Sequence, residues 1–195
     1  MVLKAEKNIH IFTPYLDYTI NKLIENVDKR INVTIITSLE GDSLFQRGYQ
    51  LKALKEALKN GVKVKNLIGL HAKILMIDST LISLGSQNFT NRGRLNKEAG
   101  MISQVSFKGS ELISTLINWE NESKIVNLEL IEELSNYLDK NEAPLTKIKK
   151  KFDRNIEKII SDFNQKEIER QITSSTYFNS TYRFAQGEVI LTRTI

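Results

Sequence analysis

The stretch His71 to Lys97, HAKILMIDSTLISLGSQNFTNRGRLNK, gathers most of the chemically loaded residues of this 195-residue chain. His71 and Lys73 stand two apart, so on a β-strand they point to the same face. The reading is a strand over His71 to Ile77, a short turn at Asp78-Ser79-Thr80, and a return strand over Leu81 to Gly85. Ser86 and Asn88 close the run. A nucleophile, a fixed cation, a hydroxyl and an amide assembled this way suit one task. They can hold a tetrahedral phosphate while its ester is exchanged.

Working outward, Asn8 to Tyr15 (NIHIFTPY) reads as a strand stopped by Pro14, which lacks a backbone donor. Asp17 to Val27 carries Ile20, Leu23, Ile24 and Val27 at helical spacing. Asn32 to Thr37 (NVTIIT) is β-branched and apolar, a buried strand. Leu44 to Lys59 presents Leu51, Leu54 and Leu58 on one helical face and stops at Asn60-Gly61. Val62 to Ile68 fits a third strand. This βαβαβ opening predicts a mixed, mainly parallel sheet with helices on both faces. Glu98 to Val105 reads as a further strand, and Glu111 to Val126 as a helix containing Trp119.

The motif resembles the signature of the phospholipase D superfamily, H-x-K-x4-D-x6-G-S-x-N, at each fixed position: His71, Lys73, Asp78, Gly85, Ser86 and Asn88. The N-x-E that follows it in many members matches Asn96-Lys97-Glu98. The resemblance implies an α/β/α sandwich and a metal-independent phosphodiesterase without cofactor. In that reading His71 Nε2 attacks phosphorus and forms a covalent phosphohistidine. Lys73 and Asn88 steady the non-bridging oxygens as charge develops. Glu98 is similar to the acidic partner that accepts from histidine Nδ1. Ser86 either bonds near the phosphate or supports the loop. Asp78 reads as a structural turn residue, and Gly85 as permitting close backbone approach. Arg92, Arg94 and Lys97 either steer phosphates or form a solvated face.

The family mechanism also needs a second histidine across the phosphorus. The chain has only one other, His10, which has none of the motif's partners around it. Short, one-motif members resemble symmetric dimers, so the expectation is a homodimer in which two copies of His71 share one active centre.

Composition narrows the alternatives. There are no cysteines, which excludes disulfides and thiolate metal sites. The net charge is +5, and residues 1 to 125 hold 17 Lys and Arg against 12 Asp and Glu, so the surplus lies with the motif. A polyanionic substrate would gain from that. The N-terminal MVLKAEKNIHIF has no signal-peptide pattern, and no run approaches the ~18 apolar residues of a membrane span. The expectation is a cytoplasmic protein with no membrane partner.

Residues 1–126 are therefore expected to form the catalytic domain, and 127–195 a helical extension with a β-prone tail. In the extension, Leu130, Ile131, Leu134 and Leu138 mark one helix, broken near Asn141 to Pro144. Ile148, Phe152, Ile156, Ile159, Ile160 and Phe163 mark a second. Lys149, Lys150 and Lys151 read as a solvated face. The apolar end of the tail suggests cover by a further domain or subunit. Nuclease action on DNA or RNA leads the functional readings. Phospholipid hydrolysis or head-group exchange is the runner-up, and a non-catalytic nucleic-acid-binding subunit of a larger complex is the third.

Overall fold

A computed structural model of the chain describes residues 2–41, 44, 49–105 and 110–185. Its centre is a seven-stranded mixed sheet: β1 (Asn8–Phe12), β2 (Asn32–Thr37), β3 (Lys63–Asn66), β4 (Ile74–Ile77), β5 (Leu81–Gly85), β6 (Gly100–Gln104) and β7 (Lys124–Val126). The strands lie in the order β6-β5-β4-β1-β2-β3-β7. The helices are α1 (Thr19–Ile24), α2 (Tyr49–Lys59), α3 (Asn91–Leu95), α4 (Glu111–Glu122) and α5 (Leu128–Ala185).

Strand alternation sorts the core into two layers. Ile9 and Ile11 of β1, Val33 and Ile35 of β2, and Leu75 and Ile77 of β4 face one side. There they pack against Ile20 of α1, Leu51 and Leu54 of α2, and Ile131 of α5. Phe12, Ile36, Ile74 and Met76 face the other side, under Ile113 and Leu116 of α4. Trp119 of α4 meets Phe12 edge-on, with ring centroids 6.3 Å apart. Burying an Ile or Leu side chain of this kind contributes about 1.5–3 kcal/mol. The result is the three-layer α/β arrangement expected.

The sheet is mixed as expected, but it is not mainly parallel. Only β1–β2 and β2–β3 pair parallel, while β1–β4, β3–β7, β4–β5 and β5–β6 are antiparallel. A two-strand hairpin joins β4 to β5, and a short turn permits only an antiparallel return. The helix expected to run to Val126 ends at Glu122, where Ser123 turns extended and Lys124–Val126 pairs with β3. The strand expected from His71 begins at Ile74, so His71 and Lys73 precede it.

Two further expectations change in the last third. Instead of two helices broken near Pro144, one helix runs from Leu128 to Ala185 with Pro144 inside it. A proline removes one backbone bond, and here that loss does not end the helix. Residues 176–185 of the expected β-prone tail are helical, while 186–195, and residues 45–48 of the second expected helix, lie outside the described residues. The chain clusters into two units, Met1–Asn141 and Glu142–Ile195. In the first, Leu134 and Leu138 pack on the core beside Ile131. In the second, Ile148, Phe152, Ile159 and Phe163 are exposed. Among the described residues no helix is long and apolar enough to cross a membrane.

Candidate active site

The β4–β5 hairpin carries the motif, with Ile74 opposite Leu84 and Ile77 opposite Leu81. Its two ends do different things. At the turn, Asp78 and Ser79 adopt left-handed backbone, with φ of 48° and 53°. The Asp78 carboxylate accepts from the backbone N–H groups of Glu6, Lys7 and Asn8 at 2.8, 2.9 and 2.8 Å. It thereby ties the turn to the start of β1. Burial pushes this carboxyl's pKa up, but the three donors and Lys7 outweigh it and hold the pKa below the ordinary value.

The open end gathers the other signature residues. Gly85 N–H donates to the Lys73 carbonyl at 3.2 Å, which extends the hairpin past β4. Lys73 Nζ donates to the His71 carbonyl at 2.7 Å. A Cβ on Gly85 would stand 2.6 Å from the Ala99 carbonyl, so only glycine lets β5 and the following segment approach this closely. Ser86 N–H donates to that carbonyl at 2.9 Å, and Ser86 Oγ accepts from Ala99 N–H at 3.1 Å. The Ser86 hydroxyl also donates to Glu98 Oε2. Glu98 Oε1 accepts weakly from Asn96 at 3.4 Å.

Lys73, Gly85, Asn88, Arg94 and Glu98 line a common cleft of about 380 Å³. His71, Ser86, Arg92 and Lys97 are not part of its wall. Burial pushes the Lys73 ammonium's pKa down, and the negative charge of Glu98 opposes this only in part. Asn88 Oδ1 is buried with no partner among the described residues. Such a group costs about 1–3 kcal/mol unless something pairs with it.

His71 is exposed, and among the described residues its imidazole has no hydrogen-bond partner. The expected Glu98–His71 contact is thus not made, because Glu98 turns to Ser86 and Asn96. His10 lies elsewhere, in β1 opposite Met76. Its Nε2 is 3.1 Å from Glu120 Oε2 of α4, and Lys65 Nζ is 3.6 Å from Oε1. Burial lowers the His10 pKa, with Lys65 and Lys63 adding to this and Glu120 opposing it.

One positioning contact escaped the sequence reading. Buried Asp17 accepts from Thr19 N–H at 2.9 Å and from Asn91 N–H at 2.7 Å. Its own N–H donates to the Phe89 carbonyl at 3.1 Å, and Thr19 Oγ1 donates to the same carbonyl at 3.0 Å. The loop bearing Asn88 is thereby pinned to the segment after β1. The Asp-x-Thr pattern before a helix signals the local half of this. Nothing local signals the partner 74 residues away. Among the described residues no cluster of three or more His, Cys, Asp and Glu could hold a metal ion.

Residues 1–119 match the family model described as the cardiolipin synthase, PLD-like domain. The chain belongs to the phospholipase D superfamily. Among solved structures of similar fold is a phospholipase D family member, Nuc from Salmonella typhimurium. It has a TM-score of 0.53 and 18% identity, over 65% of this chain and 86% of that one. NucT from Helicobacter pylori scores 0.43 at 18% identity, over 65% and 85%. Phosphatidylserine synthase from Haemophilus influenzae Rd KW20 scores 0.46 at 18%, over 72% and 40%. No curated protein matches the sequence. As a phospholipase D superfamily chain, it carries the six signature residues on a hairpin and loop that bring Lys73, Asn88 and Glu98 to one cleft.

Proposed function

We propose that this chain is a metal-independent phosphodiesterase, a nuclease cleaving DNA or RNA through a covalent phosphohistidine at His71. The catalytic domain is residues 1–126, with the start of the helical extension packed on its core through Ile131, Leu134 and Leu138. In the first step His71 Nε2 bonds to phosphorus and the P–O bond to the leaving nucleoside breaks. The departing oxygen takes a proton from a second imidazole. In the second step water attacks the phosphohistidine and gives its proton to that imidazole. The N–P bond breaks, leaving a phosphomonoester and free His71. Lys73 and Asn88 stabilise the non-bridging oxygens, and the partly desolvated Lys73 is the stronger for it.

The second imidazole comes from His71 of another copy. His10 is already engaged by Glu120, which supports a homodimer with one composite centre.

The observation that supports this reading is the cleft itself: Lys73, Arg94 and the Asn88 amide line space for a phosphate. The basic surplus in residues 1 to 125 favours a polyanion. A second reading, phospholipid head-group exchange or hydrolysis, is favoured by the description of the matching family model. Incubating the protein in EDTA with labelled DNA, RNA and a fluorescent phospholipid separates them. Cleavage of a nucleic acid supports the proposal. Phospholipid cleavage alone establishes the second reading, and activity that requires added magnesium overturns the mechanism.

A further inference from the structure

Next to the active cleft is a second groove, of about 580 Å³. The same two segments wall both. Thr19 and Thr90 face the cleft, while Tyr18 and Asn91 face the groove. Among the described residues the groove also takes in Tyr49, Lys52 and Arg92. Tyr18 and Tyr49 are 53% and 47% exposed, although large aromatic rings are usually covered. Lys22 Nζ lies 5.1 Å from the centre of the Tyr18 ring. The groove's acid, Asp17, is 7% exposed and already accepts from two backbone N–H groups. What the groove offers a ligand is therefore aromatic surface and positive charge.

We propose that this groove binds unpaired nucleobases, so that the enzyme's substrate is a single-stranded nucleic acid. This rests on the nuclease reading of the cleft. A strand leaving the cleft stacks bases on Tyr18 and Tyr49, while Lys52 and Arg92 take its phosphates. Every base has a π-face, but a duplex hides those faces between neighbouring pairs, so the tyrosines reward only an unpaired strand. A lipid head group has no such face to offer. The groove's volume also suits a ligand the size of a nucleotide rather than a flat membrane.

Binding is measured with the His71→Ala chain, which keeps the substrate whole. The probes are a single-stranded oligonucleotide carrying 2-aminopurine, the same sequence as a duplex, and anionic phospholipid vesicles. The single strand should bind at least about tenfold more tightly than the duplex, with 2-aminopurine emission quenched by stacking. Adding Tyr18→Ala and Tyr49→Ala should weaken single-strand binding by roughly tenfold per ring and restore emission. Tyr18→Phe and Tyr49→Phe should keep both, because the ring stacks and the hydroxyl does not.

If the alanine chain does not fold, Lys52→Gln with Arg92→Gln replaces it. That pair should flatten the salt dependence by about 0.7 per lost phosphate contact. Equal affinity for the duplex, parent-like binding by the alanine variants, or an unchanged salt slope overturns the groove assignment. The nuclease reading then stands if the parent chain still cleaves nucleic acid in EDTA. A parent chain that cleaves only phospholipid overturns that reading and the groove with it.

Discussion

The carboxylate of Glu98 is hydrogen-bonded to the hydroxyl of Ser86, twelve positions earlier in the chain. Glu98 also lies close enough to Lys73 for its charge to raise that ammonium's pKa against the effect of burial. The acid thus acts on the lysine of the cleft, with Ser86 bonded to it.

Replacing Glu98 by Gln keeps an acceptor for Ser86 but removes the charge. Lys73 must then lose its proton more readily. In the proposed mechanism the protonated form stabilises the phosphoryl oxygens, so activity should be lost as pH rises through the Lys73 pKa. The alkaline limb of the kcat/KM profile should therefore move to lower pH in Glu98→Gln. A limb that stays in place removes Glu98 from this role. Ser86→Ala, which leaves Glu98 short of a donor, should reduce kcat/KM by about tenfold or more.

The lowered pKa of the second histidine, His10, bears on stability. Burial sets the folded pKa of His10 below its unfolded value of about 6.5. The unfolded chain therefore binds more protons between the two values, and stability falls as pH drops below about 6.5. Thermal melting followed from pH 7 to 5 should show this loss. His10→Gln, which can still donate to Glu120, should flatten it. An equally steep fall in the variant would assign the effect to another group.

Asp78 shows the opposite sign. Its folded pKa is depressed, so its contribution is present above about 4 and is lost as pH falls through the folded value. Asp78→Ala removes the carboxylate that accepts from three backbone N–H groups and places alanine at a φ of 48°. A cost of about 2 kcal/mol or more is expected in chemical denaturation at neutral pH. Asp78→Asn should lose less, because asparagine tolerates the left-handed backbone. Equal losses in the two variants would mean that the backbone conformation carries no part of the cost.

Much of this was legible because it is local. The six signature residues fall within 18 positions on one hairpin and its loop, so their spacing alone brings the cleft's main groups together. The extent of β2 was read correctly, because NVTIIT is β-branched and buried throughout most of its length. The misses are long-range. Lys124–Val126 looks like the end of α4 until β3, some 60 residues earlier, offers it an edge. The contact between Asp17 and Asn91 joins two loops that nothing in either segment announces. Pro144 misled in a different way: its local signal is a helix stop, and the flanking helical segments overrode it.

The shared centre makes a prediction about mixtures. If each active centre needs His71 from two copies, adding an excess of His71→Ala chains to the parent should lower activity per parent chain after subunit exchange. Light scattering should report twice the mass of one chain. A fully active monomer, or parent chains unaffected by exchanged partners, would contradict the composite centre.

The covalent phosphohistidine is the central claim, and the stereochemical course at phosphorus tests it most directly. A substrate made chiral at phosphorus with sulfur and oxygen isotopes is cleaved, and the product's configuration is read. Attack by His71 followed by attack of water inverts the centre twice, so the account predicts net retention. Net inversion would mean that water attacks in a single step, and His71 could not then be the nucleophile.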